Sequence, residues 1–165
     1  MPVLAPTKVK IISQSGTSTV LAEANGAITL GDIVNISNPV WDEPGDPLRA
    51  GRAQNEQEDG GAYGICLKTV ATGKTGRFLV LRSLDRDADF VAFRTAVIDF
   101  GVALTVGGVY ALDGTGADGK MSLYTTPDTS GRTLVPQLIG VAISAAAMQV
   151  NPNGLWEATS NLYWD

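Results

Sequence analysis

The 165-residue chain contains no histidine and a single cysteine, Cys66. Without histidine, the commonest general base, metal ligand and pH-sensitive side chain is missing. One cysteine allows neither an intramolecular disulfide nor a multi-cysteine zinc site. Cys66 stands between Ile65 and Leu67 in an apolar segment, so we expect an inert thiol in the core. The sequence thus predicts a protein that is not an enzyme, with no catalytic residues, no metal site and no cofactor.

Charged residues and long apolar runs are also scarce. Charged residues make up 18% of the chain, and no stretch reaches the ~18 apolar residues that a transmembrane helix needs. The first six residues lack the charged segment and apolar core of a secretory signal. The formal net charge is −5, whereas a nonspecific nucleic-acid-binding protein is normally basic. We therefore expect neither a membrane nor a nucleic acid as partner.

Glycine and short β-prone segments dominate instead. The chain holds 19 glycines, and its apolar runs are short, rich in Val, Ile and Thr, and bounded by turn residues, which predicts roughly nine to eleven short strands and little helix. Val9 to Ile12 and Thr19 to Glu23 are expected to pair as a hairpin. Residues 38–60, which contain three prolines, are expected to form a long loop.

Two motifs recur at one offset along the chain. Residues 28–36 (ITLGDIVNI) and 104–112 (LTVGGVYAL) share the pattern apolar-Thr-apolar-Gly-x-apolar and start 76 positions apart. Residues 62–67 (AYGICL) and 138–143 (LIGVAI) share a glycine followed by an apolar, a small and an apolar residue, again 76 positions apart. Two matches at the same offset predict two copies of one β unit.

The repeat organises the predicted domain. We expect an all-β protein with a barrel core over residues 19–150, built from two pseudo-repeated β units at about 28–81 and 104–150. Residues 1–18 are predicted to form an N-terminal arm and the first strand. Residues 151–165 form an aromatic C-terminal tail. Both terminal segments are expected to be extended arms.

Charge is distributed unevenly along the chain. Residues 68–94 carry six basic and three acidic side chains, whereas residues 1–67 and 95–165 each have a net charge of −4. This basic belt, residues 68–94, is either a solvated loop region or a docking surface for an acidic partner. Three of its side chains are candidate contacts, namely Arg82, Arg86 and Arg94.

Two polar motifs within the basic belt suggest ligand sites only weakly. Gly73-Lys74-Thr75 resembles the end of a phosphate-binding loop, but the earlier glycine and the following helix are both missing, so we expect a β-turn. Asp85, Asp87 and Asp89 alternate along the chain and would share one face of a strand. They would bind a divalent ion there unless the neighbouring arginines neutralise them.

The aromatic residues near the C terminus are candidate anchors. Residues 151–165 hold two of the three tryptophans. Trp156, Tyr163 and Trp164 either fold back on the barrel or hold an arm on a neighbouring subunit or partner, because Trp and Tyr are favoured at interfaces. Trp41, in the long loop, is a further candidate anchor.

The order of these motifs resembles that of the small bacteriophage capsid cement, or decoration, proteins. The resemblance extends over roughly residues 20–150 of the chain. It rests on LGDIV at 30–34, YGICL at 63–67, Thr72-Gly73, FLVL at 78–81, LTVGGVYAL at 104–112, Gly119-Lys120, TTP at 125–127 and IGVAIS at 139–144. The long loop and the aromatic tail depart from a compact version of this pattern.

The resemblance implies a structural function. It implies a β-barrel or β-tulip-like protein that assembles as a homotrimer on the outer surface of an icosahedral head and bridges neighbouring capsomers. Its partners would be the major capsid protein and itself, and its location the outer surface of the virion.

Two other functions remain open at this point. One is a head-fibre or tail module that binds a receptor or glycan, with exposed aromatics such as Trp41 stacking on sugars. The other is a metal-dependent enzyme using Asp85, Asp87 and Asp89.

Overall fold

The computed structural model describes residues 3–15, 18–37, 48–53, 64–81, 95–112, 118–124 and 138–150. Within these ranges the chain forms eleven β-strands and no helix, which confirms the all-β class. The strands are β1 (Lys10–Ser15), β2 (Ser18–Ala24), β3 (Ile33–Ser37), β4 (Arg49–Arg52), β5 (Gly64–Cys66), β6 (Thr75–Val80), β7 (Thr95–Asp99), β8 (Val109–Leu112), β9 (Met121–Leu123), β10 (Leu138–Ala142) and β11 (Ala147–Val150).

The strands divide into two units. The first unit is a closed barrel with the strand order β2-β4-β3-β5-β6, and the second is a six-stranded sheet with the order β1-β7-β11-β10-β8-β9. Nearly all neighbouring strands are antiparallel. The exception is the parallel contact of β2 with β4, where Glu23 lies opposite Arg49. This contact closes the barrel.

The pairing registers confirm the predicted repeat. In the first unit β3 meets β5 with Val34 opposite Gly64, and in the second unit β8 meets β10 with Tyr110 opposite Gly140. Residues 34 and 110, like residues 64 and 140, are 76 positions apart. At these strand pairs the two units therefore pair equivalent residues as well as equivalent strands.

The turn before each of these strand pairs is built in the same way. Gly31 has φ of 82° and Gly107 has φ of 77°, a backbone region that side chains disfavour. The Gly31 N–H donates to the Cys66 carbonyl at 2.8 Å, and the Gly107 N–H donates to the Ala142 carbonyl at 2.8 Å. Each glycine thus allows its strand to start against the neighbouring strand.

The second repeated glycine is required by a close backbone approach. A Cβ atom on Gly64 would lie 2.4 Å from the Leu79 carbonyl oxygen, and one on Gly140 would lie 2.5 Å from the Gln149 carbonyl oxygen. Because the obstructing atoms belong to the backbone of a paired strand, they cannot rotate away. This explains why both copies of the motif contain glycine at this position.

The repeated units are longer than the sequence predicts. β2 pairs with β6 as β7 pairs with β11, so the first unit starts at residue 18 and the second at residue 95. The prediction of a long loop over residues 38–60 is wrong at β4, which forms a strand within that range. Its sequence, Arg-Ala-Gly-Arg, has no β-branched or aromatic residue. β4 exists because its backbone pairs with β3 and β2.

The predicted hairpin between the first two strands is wrong. β1 pairs with β7 in the second unit, with Lys10 opposite Asp99, while β2 pairs with β6 in the barrel. The two strands separate because their apolar side chains belong to different cores. Ile11 packs against the second unit, whereas Ala22 and Ala24 are buried in the barrel.

The N-terminal segment, residues 3–15, completes the second unit. In the barrel, the Asn25 N–H donates to the Ala50 carbonyl at 2.8 Å; in the second unit, the Leu4 N–H donates to the Met121 carbonyl at 2.7 Å. Met121 is the counterpart of Ala50, since Leu112 and Ile36 pair with them equivalently. The segment thus forms hydrogen bonds with β9 through Leu4 and with β7 through β1. The barrel counterparts of β9 and β7 are β4 and β2, which pair directly with each other.

Two apolar cores hold the molecule together. The first fills the barrel and contains Ala22, Ala24, Ile28, Val34, Ile36, Ala50, Cys66, Val70, Phe78 and Val80. The second, the shared core, lies between the barrel wall and the second unit. In β6 and just beyond it, Phe78 and Val80 face the barrel interior while Leu79 and Leu81 belong to the shared core. Since both faces are buried over residues 78–81, this part of the chain is apolar without alternation.

Candidate functional site

The seven contact residues predicted from the sequence all lie outside the described residues. They are Trp41, Arg82, Arg86, Arg94, Trp156, Tyr163 and Trp164. Of the basic belt, the structure describes residues 68–81, in which Lys68, Lys74 and Arg77 are exposed. The candidate site is therefore built from these side chains and their neighbours on the barrel.

Basic side chains outnumber acidic ones in the described ranges. These ranges carry eight basic and four acidic side chains, a net charge of +4, in a chain whose formal net charge is −5. The described part of this acidic protein is therefore a place to look for a basic surface.

Basic residues lie on or next to three neighbouring barrel strands, β6, β2 and β4. Arg77 of β6 lies opposite Leu21 of β2. Side chains alternate along a strand, and because Phe78 and Ala22 point into the barrel, Arg77 and Leu21 point outward. Lys74 stands just before β6 and is exposed.

The third strand adds another arginine to this surface. Arg49 of β4 is exposed and lies opposite Glu23 of β2, whose side chain is half-buried. Ala50, the next residue of β4, is buried in the barrel, so Arg49 points outward. Arg49 and Arg77 thus point outward from the strands on either side of β2, together with Leu21, which is 58% exposed. The exposed Lys74 lies in the turn that precedes β6. We call these four residues, with Glu23, the basic face of the barrel.

A buried ion pair connects the two units. Asp32, just before β3, is 1% exposed and is the one buried charged residue in the described ranges. Its carboxylate accepts the Thr29 N–H at 2.9 Å and pairs with the Lys120 ammonium, whose side chain is 24% exposed. The adjacent Gly119 carbonyl accepts the Ile33 N–H at 2.8 Å. Since both carboxylate oxygens are engaged, one by each unit, the pair is a structural connection between the units.

The Cys66 thiol has the burial that the sequence predicted. Cys66 lies in the barrel core, and its Sγ donates to the Lys68 carbonyl at 3.0 Å. Burial raises the pKa of the thiol to about 11. The nucleophilic thiolate is therefore scarce at neutral pH.

The other weak motifs are partly described. Gly73 has φ of 76°, and β6 begins at Thr75, which confirms the β-turn interpretation of Gly73-Lys74-Thr75. Asp85, Asp87 and Asp89 lie outside the described residues, and within the described ones no three potential metal ligands form a group. No helix in the described ranges is long and apolar enough to cross a membrane.

The fold and surface define an all-β repeat protein with a basic face on its barrel. No family model matches the chain, and no curated protein matches it. A solved structure, the N-terminal base of the head fiber gp8.5 of bacteriophage phi29, matches with a TM-score of 0.42 and 16% sequence identity, covering 81% of this chain and 92% of that one.

Proposed function

We propose that this protein is a structural component of a bacteriophage head that binds the outer surface of the capsid as a homotrimer and bridges neighbouring capsomers. The proposal starts from the sequence resemblance to cement proteins. The observation that carries it further is the basic face on an otherwise acidic protein, because a surface with an excess of one charge is typical of docking on the opposite charge. The partner of this face is an acidic surface of the major capsid protein.

Each charge on this face contributes little binding free energy alone, and an oligomer that presents several such faces adds the contributions together. An exposed ion pair contributes about 0.2–1 kcal/mol, so Lys74 and Arg77 alone do not hold a protein on a capsid. Linked subunits that bind a repeating lattice gain affinity by multivalency without new kinds of contact. A homotrimer with three basic faces gains in this way. Further proposed contacts are the aromatic side chains of Trp41, Trp156, Tyr163 and Trp164.

The shared core suits a protein that works by resisting deformation. Leu79 and Leu81 of the barrel pack in one cluster with Phe100 and Met148 of the second unit, and the buried Asp32–Lys120 pair connects the same two units. Forces applied to one unit are therefore transmitted to the other through close-packed side chains. A bridge between capsomers needs this rigidity, since it must hold the seam closed against the pressure of packaged DNA.

The proposal is tested by co-sedimentation with mature capsids from which the protein has been stripped. We expect saturable binding near three copies per three-fold site, and weaker binding as ionic strength rises. Arg77→Glu should weaken binding about tenfold, equivalent to about 1.4 kcal/mol. Lys10→Glu is the matched control, because Lys10 is an exposed cation on β1 of the second unit. It should bind like the wild type.

The contradicting outcomes are distinct. Failure of the wild-type protein to bind stripped capsids would overturn the proposal, and saturable glycan binding would then support the receptor-binding alternative. Equal weakening by Arg77→Glu and Lys10→Glu would remove the basic face from the contact. A variant that ends at Val150 tests the tail, since loss of binding would assign residues 151–165 to the contact.

A further inference from the structure

Part of the outer surface of the second unit carries no charged residue. Residues 100–112 and 138–150 contain no Asp, Glu, Lys or Arg, in a chain that has 29 such residues. These ranges include β8, β10 and β11 and the turns at 101–108 and 143–146. The corresponding barrel hairpin, by contrast, carries Lys68 and Lys74.

The outward strand positions of this face are apolar in both units. Val109 of β8 lies opposite Val141 of β10, as Ile33 lies opposite Ile65 in the barrel. Ile33 and Ile65 are buried in the shared core, whereas Val109 and Val141 are half-buried. An antiparallel sheet usually carries polar side chains on its solvated face. The second unit retains apolar ones where its counterpart is covered.

The adjoining turns show the same contrast more strongly. Val106 is 63% exposed and Ile143 is 51% exposed. At an offset of 76 positions their barrel counterparts are Leu30 and Leu67, which are half-buried, and Leu67 packs against the shared core. Val106, Val109, Val141 and Ile143 together form what we call the uncharged face.

We infer that the uncharged face is the contact surface between copies of this chain. Each copy has a net charge of −5, so two copies repel each other on average, and a surface without charges is one where they approach at little electrostatic cost. Interfaces between identical subunits are more apolar than other interfaces. Moreover, the counterpart surface of the barrel, with Ile33, Ile65 and Leu67, is already buried against a copy of the same β unit.

This inference rests on the homo-oligomer of the proposed function and assigns it a surface. The basic face serves the acidic capsid partner, and the uncharged face serves the sister subunit. The two surfaces lie on different units, the former on β2, β4 and β6 and the latter on β8, β10 and their turns. A protein that bridges capsomers as an oligomer needs such a division.

The test is the mass in solution of the full-length double variant Val106→Lys/Ile143→Lys, measured by analytical ultracentrifugation. Both side chains are more than half exposed, so lysine remains hydrated in the monomer and the fold is retained. In the oligomer the ammonium groups would be buried without partners. We expect the subunit dissociation constant to rise at least about 100-fold, giving a monomer where the wild type is an oligomer.

Leu21→Lys provides the matched control for this experiment. Leu21 is 58% exposed, similar to Val106 and Ile143, but lies on the basic face of the barrel. It should keep the wild-type mass. Circular dichroism of all variants checks that the fold is unchanged.

Three results would overturn the inference. They are a wild-type protein that stays monomeric at high concentration, a double variant that keeps the wild-type mass, and a Leu21→Lys variant that dissociates equally. If the double variant keeps its mass while removal of residues 151–165 increases binding of an apolar dye, the tail covers the face within one chain.

Capsid co-sedimentation separates this inference from the proposed function. Monomeric wild-type protein that binds stripped capsids would refute the self-contact and leave the capsid function standing. If the double variant dissociates as expected but the wild-type oligomer does not bind capsids, the contact between copies is supported and the capsid function is refuted.

Discussion

The buried pair of Asp32 and Lys120 allows the junction between the units to be tested by substitution. Lys120→Met would leave the Asp32 carboxylate, 1% exposed, without its counter-charge. Removing one partner of a buried pair typically costs about 3–5 kcal/mol, because an uncompensated charge stays buried. The remaining hydrogen bond from the Thr29 N–H satisfies one oxygen but does not neutralise the charge. We therefore expect Lys120→Met to lower the free energy of unfolding by about 3 kcal/mol.

The reverse substitution should be milder. Asp32→Asn leaves the Lys120 ammonium, whose side chain is 24% exposed and reaches water. An asparagine oxygen still accepts the Thr29 N–H. The expected loss is about 1–2 kcal/mol. The double variant, Asp32→Asn with Lys120→Met, buries no charge and should be more stable than Lys120→Met alone.

Urea unfolding followed by circular dichroism measures all four proteins of this double-mutant cycle. The protein concentration must be the same throughout, because self-association stabilises the folded state. The asymmetry between the two single variants is the decisive quantity. If Asp32→Asn costs as much as Lys120→Met, or if the two losses simply add, burial of the carboxylate is not what makes the pair matter.

Two further predictions concern the barrel and its repeat. Gly140→Ala should lower the free energy of unfolding, measured in urea, by several kcal/mol, because the new Cβ would lie 2.5 Å from the Gln149 carbonyl oxygen. Gly26→Ala is the control, since its Cβ would have nothing within 4 Å, and it should change stability by less than about 1 kcal/mol. Equal effects of the two substitutions would contradict this. The pKa of the Cys66 thiol rises from 9.0 to about 11 on folding, so between about pH 9 and pH 11 the thiol ionises in the unfolded chain but not in the folded one. In that range the free energy of unfolding of the wild type should fall by up to about 1.4 kcal/mol per pH unit relative to Cys66→Ala. Parallel curves of stability against pH for the two proteins would refute this.

The sequence determined the local construction of this protein. The repeat at an offset of 76 positions, the turn glycines and the small residue at position 66 are requirements of backbone geometry and packing within a few ångströms. Gly64 and Gly140, for example, are needed because a Cβ would strike a neighbouring carbonyl. Such requirements leave the same residues in both copies, so the β units, the all-β class and the buried thiol could be inferred without coordinates.

The candidate site was less accessible to sequence analysis. The basic belt predicted from the sequence contains Lys74 and Arg77 of the basic face, but Arg49, which shares that surface, is 25 positions before Lys74. β4 places Arg49 there through its backbone pairing with β2, although its own sequence has no strand signal. The position of β4 is set by backbone hydrogen bonds to the strands on both sides of it, which depend little on side-chain identity.

Tertiary structure alone decided which copies of an equivalent position are buried. Ile65 and Val141 occupy the same place in the repeat and have similar side chains, yet Ile65 lies in the shared core and Val141 is half-buried. Tertiary structure also decided that β1 pairs with β7 of the second unit and not with β2, its neighbour in the chain. The physical reason is the same in both cases. Alternation of apolar side chains specifies that a face is to be covered, while the surface that covers it comes from a distant part of the chain or, as we propose for the uncharged face, from another copy.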